Sequence, residues 1–252
     1  MFISADTRNV SMQNDPYLTL ILPAYNESRR IPITLEKTLS YLADKAYSWE
    51  LIVVDDGSTD GTADVVEQTV VSEYRVLILR DSENRGKGYS LKVGVQKAAG
   101  KYIGFMDADY KTDVSCTGEA LQYLEAGKDV VVGSRRLKGS RIELQPKFYR
   151  RAGSILFKRC MHLMFPELSS FQDTQCGFKF FQADVAKDIF SRLIVDRFMF
   201  DVEIFYLSHR LGYQIAEIPV LWNSDHDTRT TLVSAVVRNL IDLLRIRCKA
   251  RD

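Results

Sequence analysis

The 252-residue sequence has no run of about 18 apolar residues, the length a helix needs to cross a bilayer. Met1 to Asp15 carry acids and no long apolar stretch, so neither a signal peptide nor a membrane anchor is expected there. Cysteine is sparse. Cys116, Cys160, Cys176 and Cys248 are widely spaced without a C-x-x-C pair, which argues against a zinc site or disulfide framework and for reduced thiols in a cytosolic setting. The formal net charge is only +1, so bulk charge points to no nucleic-acid partner. Two phosphate-binding signatures are also missing. Without G-x-x-x-x-G-K-[ST] a P-loop NTPase is disfavoured, and without G-x-G-x-x-G after a strand so is a dinucleotide oxidoreductase. No internal repeat or low-complexity linker interrupts the chain.

What remains is a well-supplied core. Hydrophobic residues make up 46% and charged residues 27%, a balance that suits one large folded domain rather than a disordered chain. Strand patterns at Leu18 to Leu22, Glu50 to Val54, Arg75 to Arg80, Tyr102 to Met106 and Asp129 to Gly133 alternate with helical patterns at Ser28 to Lys45, from the Thr59-Asp60-Gly61-Thr62 opening, and at Gly86 to Ala99. This rhythm predicts βαβ units and a largely parallel sheet. After Gly133 it changes. A basic loop runs to Pro146, and Lys147 to Phe165 is amphipathic. The apolar Phe178 to Phe181 follows, then two helices (Ala183 to Arg192 and Asp201 to Leu211), a strand at Tyr213 to Trp222, and a last helix at Leu232 to Cys248.

Polar clusters fall at the strand-to-helix corners: Tyr25-Asn26-Glu27, Asp55-Asp56-Gly57-Ser58, Asn84-Arg85-Gly86-Lys87-Gly88 and Asp107-Ala108-Asp109. In an open α/β sheet such corners line one edge, where ligands bind. Asp107 and Asp109 follow an apolar strand and can converge on one hard cation, Mg²⁺ or Mn²⁺, which shares its oxygen shell with substrate phosphates. Read alone the pair is equally a strand-ending turn. The glycine-rich start at Gly86-Lys87-Gly88 suits an anion through exposed N–H groups. Arg135 is either a phosphate-binding fork or a solvated surface arginine.

With these strings placed, the chain resembles glycosyltransferase family 2, the inverting GT-A enzymes, and within it the branch acting on dolichyl and polyprenyl phosphates with glucose. The resemblance rests on Leu22-Pro23-Ala24-Tyr25-Asn26-Glu27, Val54-Asp55-Asp56-Gly57-Ser58-Thr59-Asp60, Asn84-Arg85-Gly86-Lys87-Gly88, Asp107-Ala108-Asp109, Gly133-Ser134-Arg135 and Asp173-Thr174-Gln175-Cys176-Gly177-Phe178-Lys179. It implies a GT-A α/β fold, with a nucleotide-binding, mostly parallel sheet flanked by helices over residues 16–222. An acceptor-side extension, a loop and a basic amphipathic helix, would occupy 223–252. It also implies transfer of glucose from UDP-glucose to a polyprenyl phosphate, dependent on Mg²⁺ or Mn²⁺. Pro23, Tyr25, Glu27 and Asp56 would hold the nucleotide, Lys87 the ribose or diphosphate, Asp107 the sugar side and Asp109 the metal. Arg135 would meet phosphate charge and Asp173 would sit beside the reacting centre. Arg229 would close over the diphosphate, and His226 is either a further metal ligand or a solvated loop histidine.

Asp173 poses the chemical question. A sugar hydroxyl as acceptor needs a general base, whereas a lipid phosphate, with a second pKa of about 6, is already a nucleophile and leaves Asp173 to orient it. Asp173 also fits an Asx turn or helix cap. Cys176 reads as a packed residue, and Trp49 and Trp222 as core or edge packing. Another donor such as GDP-mannose, a soluble hydroxyl acceptor, a nucleotidyltransferase and a non-catalytic nucleotide-sugar binding module remain as alternatives. Lys147 to Phe165 and the final helix each pair an apolar stripe with basic residues, as peripheral binding to the cytoplasmic face of a membrane would require.

Overall fold

The computed structural model describes residues 3–4, 15–70, 75–142, 157–223 and 232–249, of which 3–4 and 232–237 are described by backbone alone. His226 and Arg229, and the first part of the Lys147 to Phe165 stretch, lie outside the described residues.

A short edge strand, β1 (Ile3–Ser4), precedes β2 (Leu18–Ala24), α1 (Ile31–Ala43), β3 (Trp49–Asp55), α2 (Thr62–Thr69), β4 (Val76–Arg80), α3 (Lys87–Lys97) and β5 (Tyr102–Met106). The expected βαβ rhythm is what forms. α1 begins later than the sequence pattern predicts, because the Glu27 carbonyl takes the N–H groups of Arg30 and Ile31 in a turn. Pro32 then sits in the first helical turn, where a missing N–H is harmless.

Strands β4-β3-β2-β5 pair in parallel. β2, central to them, is buried along its whole length. Alternation sorts its side chains. Leu18, Leu20 and Leu22 join the core under α1 and α4 (Thr117–Glu125), and Ile21 joins the core on the opposite face. α3, α6 (Ala183–Arg192) and α7 (Phe200–Arg210) cover that second face, giving three layers.

The sheet's second half is mixed. After β6 (Val130–Ser134), β7 (Arg141–Ile142) and helix α5 (157–164) comes β8 (Phe178–Gln182), which inserts antiparallel between β5 and β6. β9 (Ile215–Pro219) pairs in parallel with β6. The single strand expected from Tyr213 to Trp222 is instead two. Pro219 ends β9, and β10 (Leu221–Trp222) leaves the sheet to pair with β7. α8 (Leu232–Lys249) packs Leu243 and Ile246 into the second core. Among the described residues, no helix is long and apolar enough to cross a membrane.

β8 fits against β5 because Gly104 has no side chain. A Cβ there would lie 2.3 Å from the Phe180 ring. Gly104→Ala is expected to lower stability by about 1–3 kcal/mol, the cost of overpacking a dense core. Urea unfolding of the two proteins checks it.

Candidate functional site

The corners at the carboxyl ends of β2, β3 and β5 and the start of α3 meet at one edge, as their spacing predicts. The β2 and β3 corners are stitched together. Asn26 N–H donates to Ser58 Oγ (2.8 Å), Thr59 N–H to Asn26 Oδ1 (2.9 Å), and Glu27 N–H to Thr62 Oγ1 (2.8 Å). Pro23 is buried in β2, and Tyr25 stands 43% exposed at the rim. The Glu27 carboxylate takes both arms of Arg30 at 2.6 Å.

Asp56 is only 3% exposed, and its two oxygens accept the Arg85 and Gly86 N–H groups and the Asn84 amide, each at 2.9 Å. It therefore fixes the entry to α3. Burial raises its pKa, against the pull of these donors. The glycines beside it have a packing role that sequence spacing did not reveal. A Cβ on Gly86 would lie 2.5 Å from the Asp196 carbonyl oxygen, and one on Gly88 would lie 2.8 Å from that of Val195. The 194–197 segment thus lies directly on the glycine-rich corner, and Tyr89 N–H bonds the Asp196 carbonyl at 3.1 Å.

That segment is buckled from behind by Glu203 of α7, 3% exposed, whose two carboxylate oxygens accept the Ile194 and Val195 N–H groups at 2.8 and 2.9 Å. Burial pushes the Glu203 carboxyl up to about 7, against the lowering effect of those two donors. Lys92 of α3 reaches Asp196 at 2.7 Å. Nothing local in the sequence marks these contacts.

Beyond β5, Asp107 is paired with Lys87 of α3, and Asp109 with Lys111 at 2.8 Å, with Arg30 3.9 Å away. Tyr110 adopts a left-handed φ of 53°, which folds the chain back after the two carboxylates. Burial alone would lower the Lys87 pKa, but the charges of Asp107 and Asp201 keep it above the ordinary lysine value. Lys111 and Arg30 were not singled out from the sequence, although Lys111 lies two residues past Asp109.

Gly177 presses on the Asp107 carboxylate: a Cβ there would fall 2.1 Å from Oδ2. This contact joins the β5 corner to the segment containing Asp173, only 5% exposed. Asp173 takes a forked pair from Arg135 (2.7 and 2.9 Å) and the Arg135 backbone N–H (3.1 Å). Burial would raise its pKa, but the Arg135 bonds and charge outweigh that and hold it below the ordinary carboxylate range. Asp173 also accepts the Gln175 N–H at 3.3 Å, the Asx turn anticipated as one reading. Cys176 is buried and its thiol is pushed up to about 12 by that burial, in keeping with a packed rather than nucleophilic residue. Trp222 lies beneath the Arg135 guanidinium, 5.4 Å from ring centre to carbon.

A hard divalent cation fits this donor set. Asp107 and Asp109 offer carboxylate oxygens on one turn, with Lys87 and Lys111 as the cations paired to them. Among the described residues no group of three or more His, Cys, Asp or Glu side chains joins to hold a metal. A pair suits an ion that completes its shell with substrate phosphate.

The profile for the family described as "Glycosyl transferase family 2" matches residues 19–190. The dolichyl-phosphate beta-glucosyltransferase of Dictyostelium discoideum is 34% identical over 245 residues, covering 92% of this chain and 74% of its own. The human protein of the same name is 32% identical over 247 residues, covering 92% and 75%. A solved glucosyl-3-phosphoglycerate synthase from Mycobacterium tuberculosis, in complex with Mn²⁺ and UDP-glucose, superposes with a TM-score of 0.70 at 20% identity. It covers 93% of this chain and 79% of that one, and shares the α/β fold.

The Glu203 buckle has a pH signature. Its folded pKa of about 7 exceeds the unfolded value of 4.5, so its contribution to stability is complete below pH 4.5 and is lost as pH rises through 7. The loss is on the order of 3 kcal/mol. Glu203→Gln cannot titrate, so its stability relative to wild type is expected to rise by that order between pH 5 and pH 8 in urea unfolding series.

Proposed function

The chain belongs to glycosyl transferase family 2, and on that premise we propose that it moves glucose from UDP-glucose to a dolichyl or other polyprenyl phosphate, inverting at the anomeric carbon. The observation that carries this reading is the cleft beside Asp173. It sets three cations, Arg135, Arg136 and Lys158, against three apolar side chains, Phe157, Met161 and Phe171. A phosphate on an apolar chain has that same division of character. The sugar is taken from the relatives' name, and the donor and metal from the UDP-glucose and Mn²⁺ bound by the fold neighbour.

The chemistry is consistent with such an acceptor. A carboxylate whose pKa is depressed by a forked arginine is a weak base, so Asp173 is ill suited to deprotonate a hydroxyl. A phosphate brings its own nucleophilic oxygen near pH 7. That oxygen attacks the anomeric carbon from the face opposite UDP, the bond to the diphosphate breaks, and UDP leaves with the electron pair. Asp173 orients Arg135, which is thereby aimed to receive phosphate charge. Lys87, paired with Asp107, stands where it can turn to the diphosphate. Tyr25, Pro23 and the Asp56-braced corner form the nucleotide side. Asp109, with Asp107, would hold Mg²⁺ or Mn²⁺, which when bound offsets the negative charge growing on the departing diphosphate. The thiols Cys116, Cys160, Cys176 and Cys248 are all free, which suits the cytoplasmic face of a membrane.

Purified protein, labelled UDP-glucose and detergent-dispersed polyprenyl phosphate test the reading. Label should pass into organic solvent in the presence of Mg²⁺ or Mn²⁺ and stop with EDTA. Label confined to water-soluble products, or full transfer in EDTA, would overturn it. Asp109→Asn should cut turnover by at least about 100-fold, the scale of a few kcal/mol of lost charge stabilisation. Its stability should fall by no more than about 1–3 kcal/mol, the cost of leaving mostly buried Lys111 and Arg30 less well paired. Gly177→Ala should fold normally, because the atoms it displaces end a side chain. Its turnover should fall roughly 10- to 100-fold as Asp107 is pushed from its place.

A further inference from the structure

Between Arg85 of the glycine-rich corner and the 194–197 segment, a cleft of about 370 Å³ opens towards α8. Its charge is lopsided. Arg85, Arg197, Arg238 and Arg245 line it, against Asp196 and Asp242. Asp196 is engaged by Lys92 at 2.7 Å, and Asp242 is 6% exposed with Arg245 at 3.4 Å. Arg85, its side chain 40% exposed, is itself met by Asp81 at 3.4 Å and Glu83 at 3.2 Å. The open positive charge is therefore that of Arg197, Arg238 and Arg245, the last with its side chain 69% exposed.

Beside the cleft, α8 leaves an apolar strip uncovered. Leu243 and Ile246 are each 2% exposed in the core, whereas Leu240, Ile241 and Leu244 are 48%, 45% and 50% exposed. At 3.6 residues per turn, the three exposed residues share an arc of about 100°, and Arg245 and Arg238 border it. Phe198, next in sequence to Arg197, is 54% exposed. Arg247 turns away and pairs with Glu167 at 2.6 Å, so the basic face is narrower than the sequence of α8 suggests.

We propose that this edge docks on an anionic bilayer, the arginine cleft receiving a phospholipid phosphate while Leu240, Ile241, Leu244 and Phe198 enter the boundary of the acyl chains. The inference rests on the lipid-acceptor reading only for the reason the protein visits a membrane. Guanidinium forks match phosphate oxygens. An apolar strip bordered by cations is the pattern of an interfacial helix. A soluble phosphate would satisfy the arginines and leave the strip in water. A second copy of this chain would set the same three arginines against these three, and like charges oppose that contact. Arg85 and the segment that touches Gly86 and Gly88 line the cleft, so the bilayer would lie beside the nucleotide corner.

Flotation of the full chain with vesicles of phosphatidylcholine alone, or of phosphatidylcholine with phosphatidylserine, tests the surface. Wild type should float with the anionic vesicles at low salt, and less at high salt. Arg238→Glu should weaken vesicle partitioning roughly tenfold or more at low salt, and Arg245→Gln by roughly fivefold. Leu240→Ser combined with Leu244→Ser should weaken it at every salt concentration. Lys97→Glu, at the far end of α3, should have a smaller effect than either arginine change. Unfolding midpoints equal to wild type certify that each variant is folded. Wild type that never floats, arginine variants that float as wild type, a concentration-dependent dimer that covers α8, or inorganic phosphate bound without vesicle binding would each overturn the proposal. Transfer in detergent is measured separately. Lost flotation with transfer retained removes nothing from the functional reading, while flotation without transfer sinks that reading and leaves the surface standing.

Discussion

Lys179 lies in a central strand with no exposure to solvent, and the arrangement of the site follows from the need to keep its ammonium satisfied. A buried charge costs several kcal/mol unless it is paired and hydrogen-bonded. Its partners are the Asp201 carboxylate, at the start of α7, and the Cys176 carbonyl at 2.7 Å. Because the first comes from a helix and the second from the turn before β8, one ammonium ties helix, turn and strand together. That turn carries Gly177 against Asp107. The same positive charge, after that of Arg135, helps to keep Asp173 ionised. Burial raises the Asp201 pKa, and the charges of Lys179 and Lys87 oppose that rise.

Around this centre each carboxylate is met by a cation, two of the three from another element and one from the same loop. Lys87 meets Asp107, Lys111 meets Asp109, and Arg135 meets Asp173. Such a site suits an anionic substrate. Under the proposed function, a diphosphate entering it would find donors already held in place by acidic partners, and each cation could shift towards phosphate without first being drawn in from solvent. Much of the ordering is completed before substrate arrives.

The parallel strands were legible because each is a short local apolar run, whereas the antiparallel insertion of β8 was not. The corners were legible because each polar cluster directly follows its strand. What escaped was long-range. Gly86 and Gly88 looked like an anion cradle, yet the space they leave is filled by residues about 110 positions later in the chain, at Val195 and Asp196. The Glu203 buckle and the arginine cleft likewise join α7, α3 and α8, with no spacing to announce them. The break at Pro219 was in plain view, but the apolar run on both sides masked it. The functional assignments of Asp56 and Glu27 came by resemblance. The structure adds that Asp56 also braces α3 and that Glu27 holds Arg30.

The position of β8 bears on how the protein is made. By residue 106, four parallel strands have their sheet partners, although α6 and α7, which cover one face of them, come later in the chain. β6 is synthesised next, but its sheet neighbours are β8 and β9, both later in the chain. Until residues 178–182 emerge, the open side of β5 and the whole of β6 present unpaired backbone, the kind of edge that recruits other chains. Asp107 and Asp109 are therefore synthesised well before Gly177, which packs on Asp107 in the finished fold. The parallel half is laid down first, and the sheet is completed on it by a strand that must wedge in from the opposite direction.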